Sequence, residues 1–232
     1  MNAVVTDESQ RSLSEKLGVD IDPELLALAL THRSYAYEHG GLPHNERLEF
    51  LGDSVLGQAT TVLLYTRHPE YDEGTLAKRR AGVVSTVALA EAARRIGIGA
   101  YLKLGRGEEL TGGRDKDSIL ADTTEALIGA TYLSAGQDAA TGLVHRIVEP
   151  MLADPARIDA AIDPKTSLQE VAARLHLPAP LYAVDSTGPD HNRTFTATVT
   201  TGETVGHGTG TSKKHAEMAA ALDAWHALSG RG

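Results

Sequence analysis

Two short stretches hold acids at spacings that can do chemistry. In residues 44–56, HNERLEFLGDSVL, a helical turn of about 100° per residue puts Glu46, Glu49 and Asp53 within about 60° of one another. Leu48, Leu51, Val55, Ala59 and Val62 gather on the opposite side and read as the core face. Like charges at these spacings repel, so the acidic face is either solvated or neutralised by something else. Residues 118–130, SILADTTEALIGA, are small and apolar on every side, the pattern of a helix buried nearly all round, yet Asp122 and Glu125 sit one turn apart in it. Buried carboxylates need a partner or a proton. Gly57 and Gly129, one turn beyond Asp53 and Glu125, would let two such helices approach closely. Glu49, Asp53, Asp122 and Glu125 would then meet without cysteine or histidine, the ligand chemistry of Mg²⁺ or Mn²⁺. Ions held this way activate water and stabilise charge on phosphoryl oxygens, which is phosphodiester hydrolysis. Thr123 and Thr124 stand between the two acids, and nothing in the sequence rationalises threonine at 124.

The elements that must position these residues can be read along all 232 positions. From 25 to 152 apolar residues recur at three- and four-residue spacing, broken at 39–44, 69–74 and 105–117, which predicts several helices and no strand. After a Pro- and Asp-containing stretch at 153–163 the texture changes. Residues 166–175 and 213–228 are helical in pattern, while 181–186, 193–200 and 203–208 alternate and are rich in Thr and Val. The expected architecture is an all-α domain at 8–152, a linker at 153–163, and a small α+β domain of order α-β-β-β-α at 164–232.

The net charge of −9 excludes a uniformly basic, nucleic-acid-gripping coat. Residues 164–232 hold 6 of the 22 Lys/Arg and 6 of the 31 Asp/Glu, so the whole excess of acid lies in the helical part. The absence of cysteine excludes a thiolate nucleophile and a disulfide scaffold, and the expected home is a reducing cytoplasm. No stretch has the length and apolarity of a membrane span. In the small domain, Lys213 and Lys214 open a helix, where their charges join free backbone N–H groups to make a phosphate site. Aromatics are 4% of the chain, too few for a single-strand reader built on stacking.

NERLEFLGDS, followed about 70 residues later by ILADTTEALIGA, resembles the signature of the ribonuclease III family, and DEG at 72–74 falls where that family has another acidic position. The C-terminal unit, opening DPKTSLQE and closing GTGTSKKHAEMAAALDAW, resembles a double-stranded RNA-binding domain, a module that reads shape, 2′-hydroxyls and phosphates. That resemblance implies that Gln169 and Glu170 on the first helix bond 2′-hydroxyls and base edges, that His191 in the turn GPDHN enters the next minor groove, and that Lys213 and Lys214 span the phosphates between. The resemblance implies an all-helical, dimeric endonuclease domain that holds double-stranded RNA in a valley, with one Mg²⁺-dependent site per subunit. It makes Glu49, Asp53, Asp122 and Glu125 the catalytic set, with Glu49, Asp122 and Glu125 as metal ligands. Glu46 and Glu73 match positions at the edge of the site or the dimer contact. It further implies 5′-phosphate and 3′-hydroxyl products, and substrates among ribosomal RNA precursors, structured messengers and transfer RNA precursors.

Two other functions fit the same residues less well. A non-catalytic double-stranded RNA-binding protein gains nothing from clustered acids beside a polyanion, and a small-ester metal phosphohydrolase leaves the C-terminal domain unexplained. Phe50 lies about 40° from Glu46 and away from the leucine stripe, an off-core position that suggests a partner surface. In the family the matching residue inserts into a socket on the second subunit. Phe50→Ala is therefore expected to sediment as a weakened dimer; an unchanged dimer would count against that role.

Overall fold

A computed structural model describes residues 7–153, 160, 163–188 and 193–229. The chain divides into two compact units, Met1–Ala153 and Asp154–Gly232. His191 lies outside the described residues, as do 154–159 and 161–162 of the expected linker.

The first unit is helical: α1 Asp7–Leu17, α2 Pro23–Ala29, α3 Arg33–Glu38, α4 Glu46–Arg67, α5 Glu73–Val83, α6 Thr86–Ile96, α7 Arg106–Leu110 and α8 Asp117–Leu152, with 3₁₀ turns at Ile98–Tyr101 and Gly113–Asp115. Local chemistry sets the ends. Asp22 accepts from the amides of Glu24 and Leu25 just before Pro23, and Asp72 and Ser85 cap α5 and α6 in the same way. Gly97 stops α6 in a left-handed conformation. Among the described residues of this unit the extended pairing is a single parallel bridge, Thr31 to Lys103.

The long helices α4 and α8 pack against each other at its centre. Leu56, Leu64, Leu120, Leu127 and Ile128 are fully buried there. The buried stripe of α4 runs through Leu48, Gly52, Val55, Leu56, Ala59 and Leu63, rotated by roughly 60° from the expected leucine face. Val62 is consequently 55% exposed and Leu51 only half-buried, contrary to the reading above. The rotation has a cause. A Cβ on Gly52 would fall on the Glu125 carbonyl, and one on Gly129 would strike that of Leu48. The helices therefore meet backbone to backbone, nearer than the about 8–10 Å usual for helices bearing side chains. Gly57, named as a contact glycine from sequence, has nothing within 4 Å of its Cβ position. It lies 140° round the helix from Gly52, on the open side. Helix α8 bends at Gly136, whose φ of 84° and ψ of 178° suit glycine alone.

The second unit comprises α9 Pro164–Arg174, β1 Leu181–Thr187, β2 Thr194–Thr201, β3 Thr204–Gly210 and α10 Lys213–Ser229. The strands form an antiparallel sheet in the order β1-β2-β3, with Leu181 opposite Thr200 and Phe195 opposite Gly210. Gly202, at φ 56°, supplies the positive φ of the two-residue turn between β2 and β3. Leu168, Val171, Ala197, Val199 and Trp225 form its core. Side chains at Gly206, Gly208 and Gly210 would each collide with α10. Alternate positions of β3 thus lie directly on a helix whose facing residues include Ala216, Ala220 and Ala224, a glycine strand on an alanine stripe.

Gly52→Ala gains up to about 1 kcal/mol of helix propensity but loses about 1–3 kcal/mol to overpacking, so it should lower the melting temperature. Gly142→Ala, where the nearest atom is a flexible Arg146 guanidinium at 3.6 Å, should raise it by a few degrees. Calorimetry that ranked the two the other way would contradict the backbone crossing.

Candidate active site

The crossing of α4 and α8 places one carboxylate set at one spot. Glu49 stands one turn before Gly52, and Glu125 one turn before Gly129. One oxygen from each of Glu49, Asp122 and Glu125 lies within 4.8 Å of the others. All three side chains are half-buried. Asp53 is exposed and stands outside this triplet, yet among the carboxylates it acts most strongly on Glu125. The structure therefore brings together three of the four acids expected to form the site and sets the fourth beside them.

Burial and mutual repulsion have the predicted electrostatic result. Desolvation first, then Asp53, Asp122 and Glu49, push the Glu125 carboxyl up to about 7. Glu49 is raised by burial and then by Asp122 and Glu46, and Asp122 by burial and Glu46. The counter-charge that the sequence called for is Arg33, which pulls both Glu49 and Asp122 back down. It also pairs with Glu46 at 3.6 Å, and His44 approaches the same carboxylate at 3.9 Å. An all-oxygen set of this kind fits a hard divalent cation, whose charge would relieve the repulsion.

The surrounding backbone is tied down. Thr31 and His32 are held between two other segments: Lys103 N–H donates to Leu30, His32 N–H to Lys103, and Asn45 N–H to Thr31. The start of α8 is anchored by Arg94, which donates to Asp115 and Asp117 at 2.6 Å. Thr123 and Thr124 are buried, but their hydroxyls donate to Ile119 and Leu120 carbonyls one turn back at 2.7 and 2.8 Å. Threonine at 124 thus brings a satisfied hydroxyl to a helix with no solvent face there.

The remaining expected residues are scattered. Phe50 is 79% exposed on α4. Glu73 opens α5 beside Thr61 and Tyr65 in the far half of α4, about three turns from Glu49, so one chain does not bring it to the carboxylates. Gln169 and Glu170 are exposed on α9, and Lys213 and Lys214 at the start of α10. Lys213 lies 3.9 Å from Glu217, which Lys165 also holds at 2.6 Å. Gly52, His32 and Arg33 were missed from sequence. A glycine between two acids, GD at 52–53, and the pair HR opening a helix were the available signals.

In chelator, the folded protein binds a proton at Glu125 that the unfolded chain releases near 4.5, so the acid cluster costs stability as pH rises from about 4.5 to about 7. Glu125→Gln removes that cost. Its stability advantage over the parent should grow across this window and level off above it; an advantage independent of pH would contradict the assignment.

The comparisons with known proteins fit this geometry. A family model described as ribonuclease-III-like matches residues 22–151, and the double-stranded RNA binding motif matches 164–228. A ribonuclease 3 of Leifsonia xyli is 66% identical over 97% of this chain and 96% of its own, and one of Thermobifida fusca is 57% identical over 98% and 95%. The solved nuclease domain of a Campylobacter jejuni ribonuclease III is 36% identical, with a TM-score of 0.58 over 62% of this chain and 96% of its own. A second structure of that domain, at 35% identity and the same TM-score, is described by flexibility in a region involved in dimer formation. The chain belongs to the ribonuclease III family, with the family's helical nuclease domain followed by a double-stranded RNA-binding motif.

Proposed function

We propose that this endoribonuclease cleaves double-stranded RNA as a homodimer, using Mg²⁺ held by Glu49, Asp122 and Glu125. The observation that carries the reading is the convergence of these carboxylates within 4.8 Å at a glycine-lined crossing, with no nitrogen or sulfur donor among them. Mn²⁺ should substitute, because it takes the same oxygen ligands. When bound, the ion supplies acidity to a water and charge stabilisation to the phosphoryl oxygens. Asp53, exposed beside Glu125, orients the attacking water and takes its proton, while the phosphorus–O3′ bond breaks and the departing 3′-oxygen takes a proton from solvent. The products carry 5′-phosphate and 3′-hydroxyl ends.

Gln169 and Glu170 meet 2′-hydroxyls, Lys213 and Lys214 meet phosphates, and His191 reaches the next minor groove, so recognition follows shape rather than base sequence. Dimerisation is supported by the outer face of α4, where Phe50 and Tyr65 are 79% and 71% exposed and Gly57 lies open. Glu73, beside the apolar groove lined by Thr61, Leu64, Tyr71 and Leu76, belongs with that contact, and Glu46 with the edge of the site. Substrates are precursors of ribosomal and transfer RNA and structured messengers. The cysteine-free chain acts in the cytoplasm, and among the described residues no helix is long and apolar enough to cross a membrane.

A duplex of about 40 base pairs accommodates two footprints of about 16. With Mg²⁺ it should be cut, while single-stranded RNA, a DNA duplex and the chelated reaction should not. Glu125→Gln should cut about a thousandfold more slowly, the several kcal/mol expected of a Lewis-acid site, while binding the duplex as before. A duplex shifted on the gel but never cut under any metal would mean a binding protein, and near-normal cleavage by Glu125→Gln would mean that the carboxylates are misassigned.

A further inference from the structure

Beside the carboxylates lies a recess of about 530 Å³ whose lining includes His32, Arg33, Glu46, Lys116 and Asp122. Its two cations differ. Lys116 is engaged by Glu108 and by Thr111 Oγ1. Arg33, with a side chain 72% exposed, leans on Glu46 at 3.6 Å, a solvent-exposed pair worth little and readily exchanged. His32 is fixed by its neighbours. Its Nδ1 accepts the Ser34 amide at 3.3 Å and lies 2.8 Å from Ser34 Oγ, and Oγ in turn accepts the Gly105 amide at 2.9 Å. The Ser34 hydroxyl proton is then directed to Nδ1, so the neutral ring carries its own proton on Nε2. Burial holds His32 below its ordinary value and so neutral near pH 7. The lining thus holds, next to the carboxylates, one imidazole whose N–H is preset on Nε2 and one exchangeable guanidinium. That set suits a phosphate, which Arg binds in fork geometry.

We infer that His32 and Arg33 seat an RNA phosphate adjoining the scissile one, positioning the cleaved strand against Glu49 and Asp122. Arg33 is a positioning residue in this account: in the free enzyme it offsets the carboxylates, and on RNA it exchanges Glu46 for phosphate. The inference rests on the nuclease reading above.

The test is cleavage of the RNA duplex by the full chain, with KM, single-turnover rate, Mg²⁺ midpoint and salt dependence measured for the parent, Arg33→Gln, Arg33→Glu, Arg33→Lys and His32→Asn. Asn keeps the cap on Ser34, and an acid is well tolerated in a helix's first turn, so these variants should fold. Arg33→Gln should raise KM about tenfold with the single-turnover rate little changed, and lower the log–log salt slope by about one. Arg33→Glu should be worse, Arg33→Lys should recover most of the loss, and His32→Asn should raise KM without altering the slope. An unchanged KM and slope in Arg33→Gln, or a shifted Mg²⁺ midpoint as the sole effect, would overturn the inference by leaving Arg33 a counter-charge alone. Failure of the parent to cut the duplex would instead overturn the nuclease reading beneath it.

Discussion

The close passage of α4 over α8 governs this molecule. Gly52 and Gly129 leave no room for a side chain where the helices cross, and that contact fixes how α4 is rotated and which of its residues are buried. It turns Glu49 to the edge of the buried stripe, one turn from the crossing, and Glu125 arrives one turn before it on the other helix. Three acids are thereby held together by backbone packing, and burial first, with neighbouring carboxylates second, raises the proton affinity of each. The core contributes the favourable free energy, and the site uses part of it. Local stability is given up at the functional cluster and compensated elsewhere, as in other proteins.

Rigidity around the cluster follows from how the neighbouring turns are satisfied. Arg94 clasps the start of α8 through Asp115 and Asp117. Arg114 donates to the carbonyls of Gly99 and Leu102 at 3.0 Å, closing the 3₁₀ turn on the loop before α8. The Thr31–Lys103 bridge fixes the segment that carries His32 and Arg33. A cation entering such a site finds its ligands in place, so ordering them costs little at the moment of binding. The C-terminal unit solves a different problem with the same device, glycines on β3 allowing α10 to lie flat on the sheet. Its exposed Lys213 and Lys214 need no deep basic surface, in keeping with the balanced charge of residues 164–232.

Much of this was legible because it is periodic. The carboxylate faces, the helical texture to 152 and the alternating strands are read directly from spacing, and both long motifs sit on the helices expected of them. The contact glycine was misread for a physical reason: Gly57 follows Asp53 by one turn, but α8 touches the side of α4 that carries Gly52, and angle relative to an acid does not reveal which side a partner takes. Val62 was misplaced by the same rotation. Arg33 and His32 were invisible because their place depends on a bridge between segments 72 residues apart, Thr31 and Lys103, and on a hydrogen-bond relay through Gly105. Neither leaves a periodic trace.

The central claim is that Glu49, Asp122 and Glu125 form one divalent site whose mutual repulsion is relieved by the ion. Calorimetric titration of the RNA-free protein with Mg²⁺ or Mn²⁺, repeated in buffers of different ionisation enthalpy, counts the protons released on binding. With Glu125 near 7, about one proton should leave per ion at pH 6 and almost none at pH 8.5. Binding with no proton release at either pH, or no binding at all, would contradict the account.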